Sequence, residues 1–261
     1  MHPEPPRKIS NPALSRRFKL TVAYDGTAYS GWQVQPDKPT VQQILEETLK
    51  TITGQSFVKV HGSGRTDQGV HGRGQVAHVD LETRMTADAV LRALNSRLPQ
   101  DIRILKSAKV RSDFHARKQA AGKEYRYFVW NDPIILPDKR FYALHNYYKL
   151  DLAAMRRAAA FFEGEHDFAA FAANNSRVME TTVRTVYSFK ISKRGPELTF
   201  RVSGSGFMYK QVRSMVGFLL QVGRGVEEPE NVRDLLADPR PRKARIPSAP
   251  AHGLFLWRVW Y

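Results

Sequence analysis

Apolar and polar residues alternate over residues 18–24, where Phe18, Leu20, Val22 and Tyr24 are spaced by Lys19, Thr21 and Ala23. Successive side chains of a strand point to opposite faces, so this period predicts a β-strand with one buried face. The period then changes. Val41, Ile44, Leu45, Leu49 and Ile52 recur at helical spacing, which predicts an amphipathic helix. Thr40 with Gln43 has the form of a capping box at its start, and Gly54 stops it. Residues 56–61 and 75–81 read as short strands. Thr86 caps a second helix with Leu91, Leu94 and Leu98 on one face; Pro99 ends it, and residues 101–110 return as a strand. The order is β-α-β-β-α-β, the ferredoxin-like unit.

The second half repeats the pattern without visible sequence identity to the first. Residues 123–130 are strand-like. Asp151 caps a helix carrying Leu152, Met155, Ala159 and Phe162, closed by Gly164. Residues 183–192 and 197–203 form a hairpin around Gly195-Pro196, residues 207–222 a helix and residues 254–260 the last strand, with a short extra helix near 232–237. The fold class predicted is α+β: two ferredoxin-like domains in a pseudo-two-fold relation, their sheets joined edge to edge and a cleft between them. The spans are a loose N-terminal tail over 1–17, a first domain over 18–115 and a second over 116–261. The second domain carries two insertions. Residues 132–148 are rich in Pro, Lys and aromatics. Residues 238–250 hold Arg240, Arg242, Lys243 and Arg245 between prolines, either as a phosphate contact or as an ordinary solvated loop.

Composition narrows the function. Hydrophobic residues make up 42% of the 261, enough for a sizeable core. No apolar run approaches the length of a membrane span, and the N-terminal stretch has no apolar core of a secretory signal. Cysteine is absent, which excludes disulfides and thiolate metal sites and makes the cytoplasm the default location. Lys plus Arg number 41 against 25 Asp plus Glu, a net charge of +16. Such an excess points to a polyanion, nucleic acid before membrane, because no basic amphipathic helix points to lipid.

Three segments carry candidate chemistry. Residues 61–74 link two strands and hold five glycines among fourteen positions, a density that lets backbone approach a ligand. No Lys-Ser/Thr pair follows, so this is not a P-loop, and a strand follows where a dinucleotide fingerprint needs a helix. His61, His71 and His78 match no zinc spacing. Arg65 and Asp67 are the groups in this loop with reactive or binding capacity; a lone Asp among glycines is otherwise a turn former. In residues 206–217, Arg213 sits on a helix apolar on most sides. A buried cation needs a carboxylate, unless it snorkels to solvent. In Gly122-Lys123-Glu124-Tyr125-Arg126-Tyr127, alternation puts the tyrosines on one face and Arg126 on the other. That suits base stacking and phosphate contact, or plain cross-strand packing.

Taken together these segments resemble the TruA family of tRNA pseudouridine synthases, over about residues 18–261. The blocks are Tyr24-Asp25-Gly26-Thr27 with Gly31-Trp32-Gln33, Gly64-Arg65-Thr66-Asp67 with Gly69-Val70-His71, Phe114-His115-Ala116-Arg117, Lys123-Glu124-Tyr125-Arg126-Tyr127, Val212-Arg213-Ser214-Met215-Val216-Gly217 and Ala249-Pro250-Ala251-His252-Gly253-Leu254. Gln68 departs from the usual Ala, and residues 140–148 match poorly. The resemblance implies isomerisation of uridine to pseudouridine around nucleotides 38–40 of the tRNA anticodon arm, without cofactor or metal. It places the catalytic carboxylate at Asp67, its partner at Arg213 and the base-stacking ring at Tyr125. Arg65 would fill the space left by the flipped base. His71, Arg73, Lys123, Arg126 and Lys210 are the further candidates for RNA contact. It also implies a homodimer with one tRNA spanning both subunits; if Asp67 and Arg213 touch, the active site lies in the cleft between the domains. A non-catalytic RNA-binding protein would explain the charge but not Asp67 with Arg213. A phosphate-binding metabolic enzyme would explain the glycines but neither charge nor aromatics.

Overall fold

The structure is a computed structural model that describes residues 15–173, 181–238 and 246–261. Its contacts divide the chain into two units. The first holds the described residues up to Gln68 together with Gly72–Ala120; the second holds Gly69–His71 and Ala121–Tyr261. The change of unit thus falls after Ala120 rather than after residue 115, and three residues of the glycine-rich loop belong with the second unit.

In the first unit the elements are β1 (Ser15–Tyr24), α1 (Val41–Thr53), β2 (Val60–Gly62), β3 (His71–Glu82), α2 (Ala87–Asn95) and β4 (Ile102–Val110). The strand order is β4-β1-β3 with β2 on β3, and each of these pairs is antiparallel. Phe18, Leu20, Val22 and Tyr24 of β1 enter the core with Val41, Leu45 and Leu49 of α1 and Val90 and Leu94 of α2. That is the face read from the alternation. β1 begins at Ser15, so residues 15–17 are strand rather than tail. Arg17 explains the extension: its guanidinium forks onto Asp80 of β3 at 2.7 and 2.6 Å. Thr40 caps α1 by accepting from the Gln43 backbone N–H, while the Gln43 amide donates down the helix to Glu47. α2 stops at Asn95, three residues before Leu98. There the Asn95 side chain leaves the helix pattern to bond the backbone of Ile104 in β4 in both directions, each at 2.8 Å.

The second unit contains β5 (Gly122–Trp130), β6 (Leu144–His145), α3 (Leu152–Ala160), β7 (Gly164–Asp167), β8 (Val183–Arg194), β9 (Glu197–Gly204), α4 (Gln211–Gly223), α5 (Asn231–Ala237) and β10 (Leu254–Trp260). Its strands run β10-β5-β9-β8-β7, with β6 beside β5. β6 and β7 carry no apolar alternation, so the sequence reading missed both. Asp151 caps α3 as expected, accepting from the N–H groups of Ala153 and Ala154 at 2.8 and 2.9 Å. Those bonds hold its carboxyl below the usual carboxylate range. The rings of Phe162, Phe168, Phe171 and Phe189 cluster between α3 and the sheet, and Phe218 of α4 meets Phe171 edge-on. α4 starts at Gln211, not at residue 207, because Lys210 takes a left-handed conformation at φ 59 that no continuing α-helix contains. The predicted basic loop residues Arg240, Arg242, Lys243 and Arg245 lie outside the described residues. Among the described residues no helix is long and apolar enough to cross a membrane.

Candidate active site

Much of the predicted glycine-rich loop is strand. His61 and Gly62 end β2, and His71 opens β3, so the connecting loop is residues 63–70. Two of its flanking glycines make room for rings rather than for a ligand. A Cβ at Gly62 would strike the Trp32 indole, and one at Gly72 would strike the Tyr24 ring. Tyr24 and Trp32 come from the Tyr24-Asp25-Gly26-Thr27 and Gly31-Trp32-Gln33 segments, and their rings lie 5.9 Å apart.

These same two residues grip Thr66, the neighbour of Asp67. The Tyr24 hydroxyl and Thr66 Oγ1 share a buried hydrogen bond of 2.8 Å. Burial pushes the Tyr24 phenol well above its ordinary pKa, so it stays neutral. On the backbone side, Trp32 N–H donates to the Thr66 carbonyl at 3.2 Å. Gly31 lets this happen. It stands at φ +91, and any Cβ there would collide with the Thr66 carbonyl and crowd the Asp67 backbone. The loop's other end is held by Gln75, wholly buried. Ser63 Oγ donates to its amide oxygen at 2.7 Å, and its nitrogen donates to the Gly64 carbonyl at 2.9 Å. Between these anchors Arg65 is exposed, and just past Thr66 Asp67 is half-buried. A carboxylate on a short loop clamped at the preceding residue has little freedom to wander.

His71 is not an RNA-facing group. It is fully buried and stacks on Phe255 with ring centres 4.5 Å apart. Its Nε2 lies 3.0 Å from the Phe141 carbonyl and 3.1 Å from the His252 carbonyl. Both partners only accept, so Nε2 carries the proton and donates to them. The phosphate contact expected of His71 therefore gives way to a structural role.

Arg213 is half-buried on α4 and holds the segment that reaches His71. Its Nε donates to the Ala249 carbonyl at 2.7 Å, and the Ala249 N–H donates back to the Arg213 carbonyl at 2.9 Å. Ser214 and Ser248 meet through their hydroxyls at 3.1 Å. Gly217 is flush against this strap, since a Cβ there would collide with the Pro247 carbonyl. Three residues after Ala249 comes His252, whose carbonyl accepts from His71. Burial lowers the His252 imidazole pKa, and the Arg213 charge lowers it further. One chain of contacts inside the second unit thus runs from Arg213 through the strap to Gly69–His71, and Gly69 lies two residues after Asp67.

Tyr125 lies on β5 and is 8% exposed, set edge-on to Phe207 with ring centres 5.4 Å apart. Arg126 faces the other side of β5. It binds Glu124 at 2.7 Å and stacks on Trp257 at 4.0 Å, which is the cross-strand packing reading of this segment. Arg73 is exposed and Lys123 half-buried. Lys210 sits 5.1 Å over the ring of the exposed Tyr209. The sequence reading missed Thr66 and Gln75 as supports of the Asp67 loop, and the strap as the hold on His71. Only the segments holding Tyr24, Trp32 and Ala249 signalled them, because a buried clasp has no periodicity of its own.

The chain matches the family of tRNA pseudouridine synthases over residues 20–117 and 158–261, more than half its length. Asp67 falls in the first matched stretch and Arg213 in the second, while Tyr125 lies between them. The chain is 45% identical over 246 residues to the tRNA pseudouridine synthase A of Exiguobacterium sibiricum, covering 94% of this chain and 97% of that protein. It is 42% identical to the protein of the same name from Geobacillus kaustophilus, covering 95% of each. The Brevibacillus brevis protein of that name is 43% identical, over 94% of this chain and its own whole length. Among solved structures, an archaeal box H/ACA Nop10–Cbf5 complex covers 78% of this chain and 43% of its own at 20% identity and a TM-score of 0.33, too low to argue from. The chain belongs to the tRNA pseudouridine synthase family.

Proposed function

We propose that this protein isomerises uridine to pseudouridine at positions 38–40 of the tRNA anticodon arm, with Asp67 as the catalytic carboxylate. The observation that carries the reading is the clasp on Thr66, which fixes the residue next to Asp67 from both its side chain and its carbonyl. The reaction breaks the bond from uracil N1 to the ribose C1′, turns the base and joins C5 to C1′. The C5 proton leaves and N1 gains one, so no oxidant or cofactor is consumed. The target base must first leave its stack. A carboxylate serves this chemistry by attacking C1′, or by stabilising cationic character on the sugar and removing the C5 proton.

Arg213 is proposed to keep the carboxylate aimed, a role supported by its hold on the strap that reaches Gly69–His71. Tyr125 is proposed to meet the flipped uracil with a ring whose orientation Phe207 fixes. Arg65, exposed on the same loop, would occupy the vacated stack. Arg73, Lys123, Arg126 and Lys210 would contribute to the phosphate-binding surface, Arg126 after release from Glu124. We read the two units as related ferredoxin-like domains; supporting this, each orders its strands as last, first, third, second, with β6 and β7 added in the second. The protein is expected to work in the cytoplasm as a homodimer.

The experiment is incubation of the purified protein with tRNA labelled with tritium at uracil C5. Release of tritium to water, with the new pseudouridines mapping to the anticodon arm, is the expected result. Stoichiometric binding of that tRNA with no tritium released would leave an RNA-binding protein and end the enzymatic reading.

A further inference from the structure

Phe114-His115-Ala116-Arg117 has no part in the chemistry above, yet the first unit builds a donor-lined site around it. His78 of β3 is 3% exposed. His61 of β2 stacks flat on it with ring centres 4.8 Å apart, and His115 leans on it at 4.7 Å. Backbone N–H groups fix two of these rings. Ala116 N–H donates to His78 Nδ1 at 3.1 Å, and Arg117 and Lys118 N–H donate to His115 Nδ1 at 3.2 and 3.3 Å. An imidazole that accepts at Nδ1 carries its proton at Nε2. Both rings therefore present N–H donors.

The setting is cationic. Burial first, then His61, Arg17 and His115, together lower the His78 imidazole to about 4, with Asp80 opposing. His115 is lowered by burial first and then by Lys118, His61 and Arg17. Asp80 is engaged by the Arg17 fork, whose remaining nitrogen donates to the Phe114 carbonyl at 2.9 Å and so fastens this loop to the sheet. Lys19, the register partner of His78, lies 5.4 Å over the Phe114 ring. A shallow depression beside that ring adds Lys109, Gln119 and Arg111, the last paired with Asp113 at 3.1 Å. Among the described residues no group of three such side chains is arranged to hold a metal ion. Imidazole N–H groups beside Lys19 suit an oxyanion better than a cation.

We propose that His61, His115 and Lys19, packed around the buried His78, form a binding site for a phosphate of the substrate RNA, separate from the loop that carries Asp67. The occupant follows from chemistry: a donor-rich site on a chain of net charge +16 selects a polyanion, and the partner rests on the tRNA reading given above. Each phosphate contact adds about one unit to the slope of log affinity against log salt.

The test measures binding of an unmodified tRNA transcript across a salt series for the wild type, Lys19→Ala and Arg92→Ala. Arg92 is exposed on α2 and serves as a control for net charge. Lys19→Ala should weaken binding several-fold at moderate salt and lower the slope by about one, with Arg92→Ala unchanged. Equal slopes for wild type and Lys19→Ala, or the same loss in both variants, overturn the proposal. In parallel, the imidazole 15N resonances of the intact protein are followed while inorganic phosphate, then tRNA, is added. Shifts at His61 and His115 with phosphate alone show that a free anion suffices; shifts with tRNA only show that the site needs the polymer; no shift with either overturns it. If Lys19→Ala loses tRNA affinity while the wild type releases no tritium, the site stands and the enzymatic reading falls. The reverse result separates them the other way.

Discussion

Thr66 decides how well Asp67 can be aimed, because it is the last fixed residue before the carboxylate. Its hydroxyl is buried against Tyr24, so removing the partner strands a polar group at a cost of roughly 1–3 kcal/mol. Tyr24→Phe is therefore expected to lower kcat about 10- to 100-fold, since a misplacement on the order of 1 Å suffices for that. KM for tRNA should stay within a few-fold, because phosphates are held elsewhere. Thr66→Ser keeps the hydroxyl and should keep most of the activity. Steady-state kinetics on both variants check this, and a Tyr24→Phe protein with undiminished kcat would show that the clasp does not aim the carboxylate. Arg213 acts at the same scale. Arg213→Ala should abolish most activity while moving the unfolding midpoint only modestly, because the side chain is half-buried. Arg213→Lys restores charge but not the Nε donor that holds Ala249 or a two-pronged grip, so recovery should be partial. Full activity in the lysine variant would reduce Arg213 to a charge.

At the scale of elements, the turn before α1 and the loop after β2 are built to fit one another at Gly31. Gly31→Ala asks for a left-handed residue at φ +91 and a Cβ inside the Thr66 carbonyl. We expect a loss of about 1–3 kcal/mol in chemical unfolding and a larger fractional loss in turnover, since the loop must shift to relieve the clash. Unchanged turnover in this variant would count against the coupling of the two segments. The helices and core strands of both units were legible because burial on one face leaves a period in the sequence, as in Phe18–Leu20–Val22–Tyr24 or Val41–Leu45–Leu49. Asp151 and Thr40 were legible as caps because their side-chain oxygens serve the backbone locally. Elements set by long-range contacts were not. β7 gains its place by pairing with β8, and the first turn expected of α4 is lost to the Lys210 backbone. The glycine-rich stretch was read as a ligand-facing loop, whereas Gly62 and Gly72 answer to Trp32 and Tyr24 from elsewhere in the chain. For the site, Asp67, Arg213 and Tyr125 stood out as candidates from the residues, and their roles came from the resemblance. No local pattern shows that His71 faces inward, because its partners Phe141 and His252 lie 70 and 181 residues away.

For the whole molecule, the net charge of +16 makes association with tRNA largely a matter of releasing counterions. Affinity should fall steeply from low to moderate salt, with a slope of about 0.7–0.9 per neutralised phosphate, while the single-turnover rate of bound tRNA changes little. Equilibrium binding and rapid-quench measurements over the same salt series check both halves, and a flat affinity would argue against a phosphate-tracking surface. In the function proposed here the charge draws RNA in and the carboxylate on the clamped loop does the isomerisation. The most direct measurement of that claim is single-turnover tritium release from C5-labelled tRNA by wild type and Asp67→Asn, alongside tRNA affinity for each. The amide keeps the shape and removes the charge, so Asp67→Asn should release no tritium while binding tRNA within a few-fold of wild type. Tritium released by Asp67→Asn at a rate near that of wild type would contradict the assignment of Asp67.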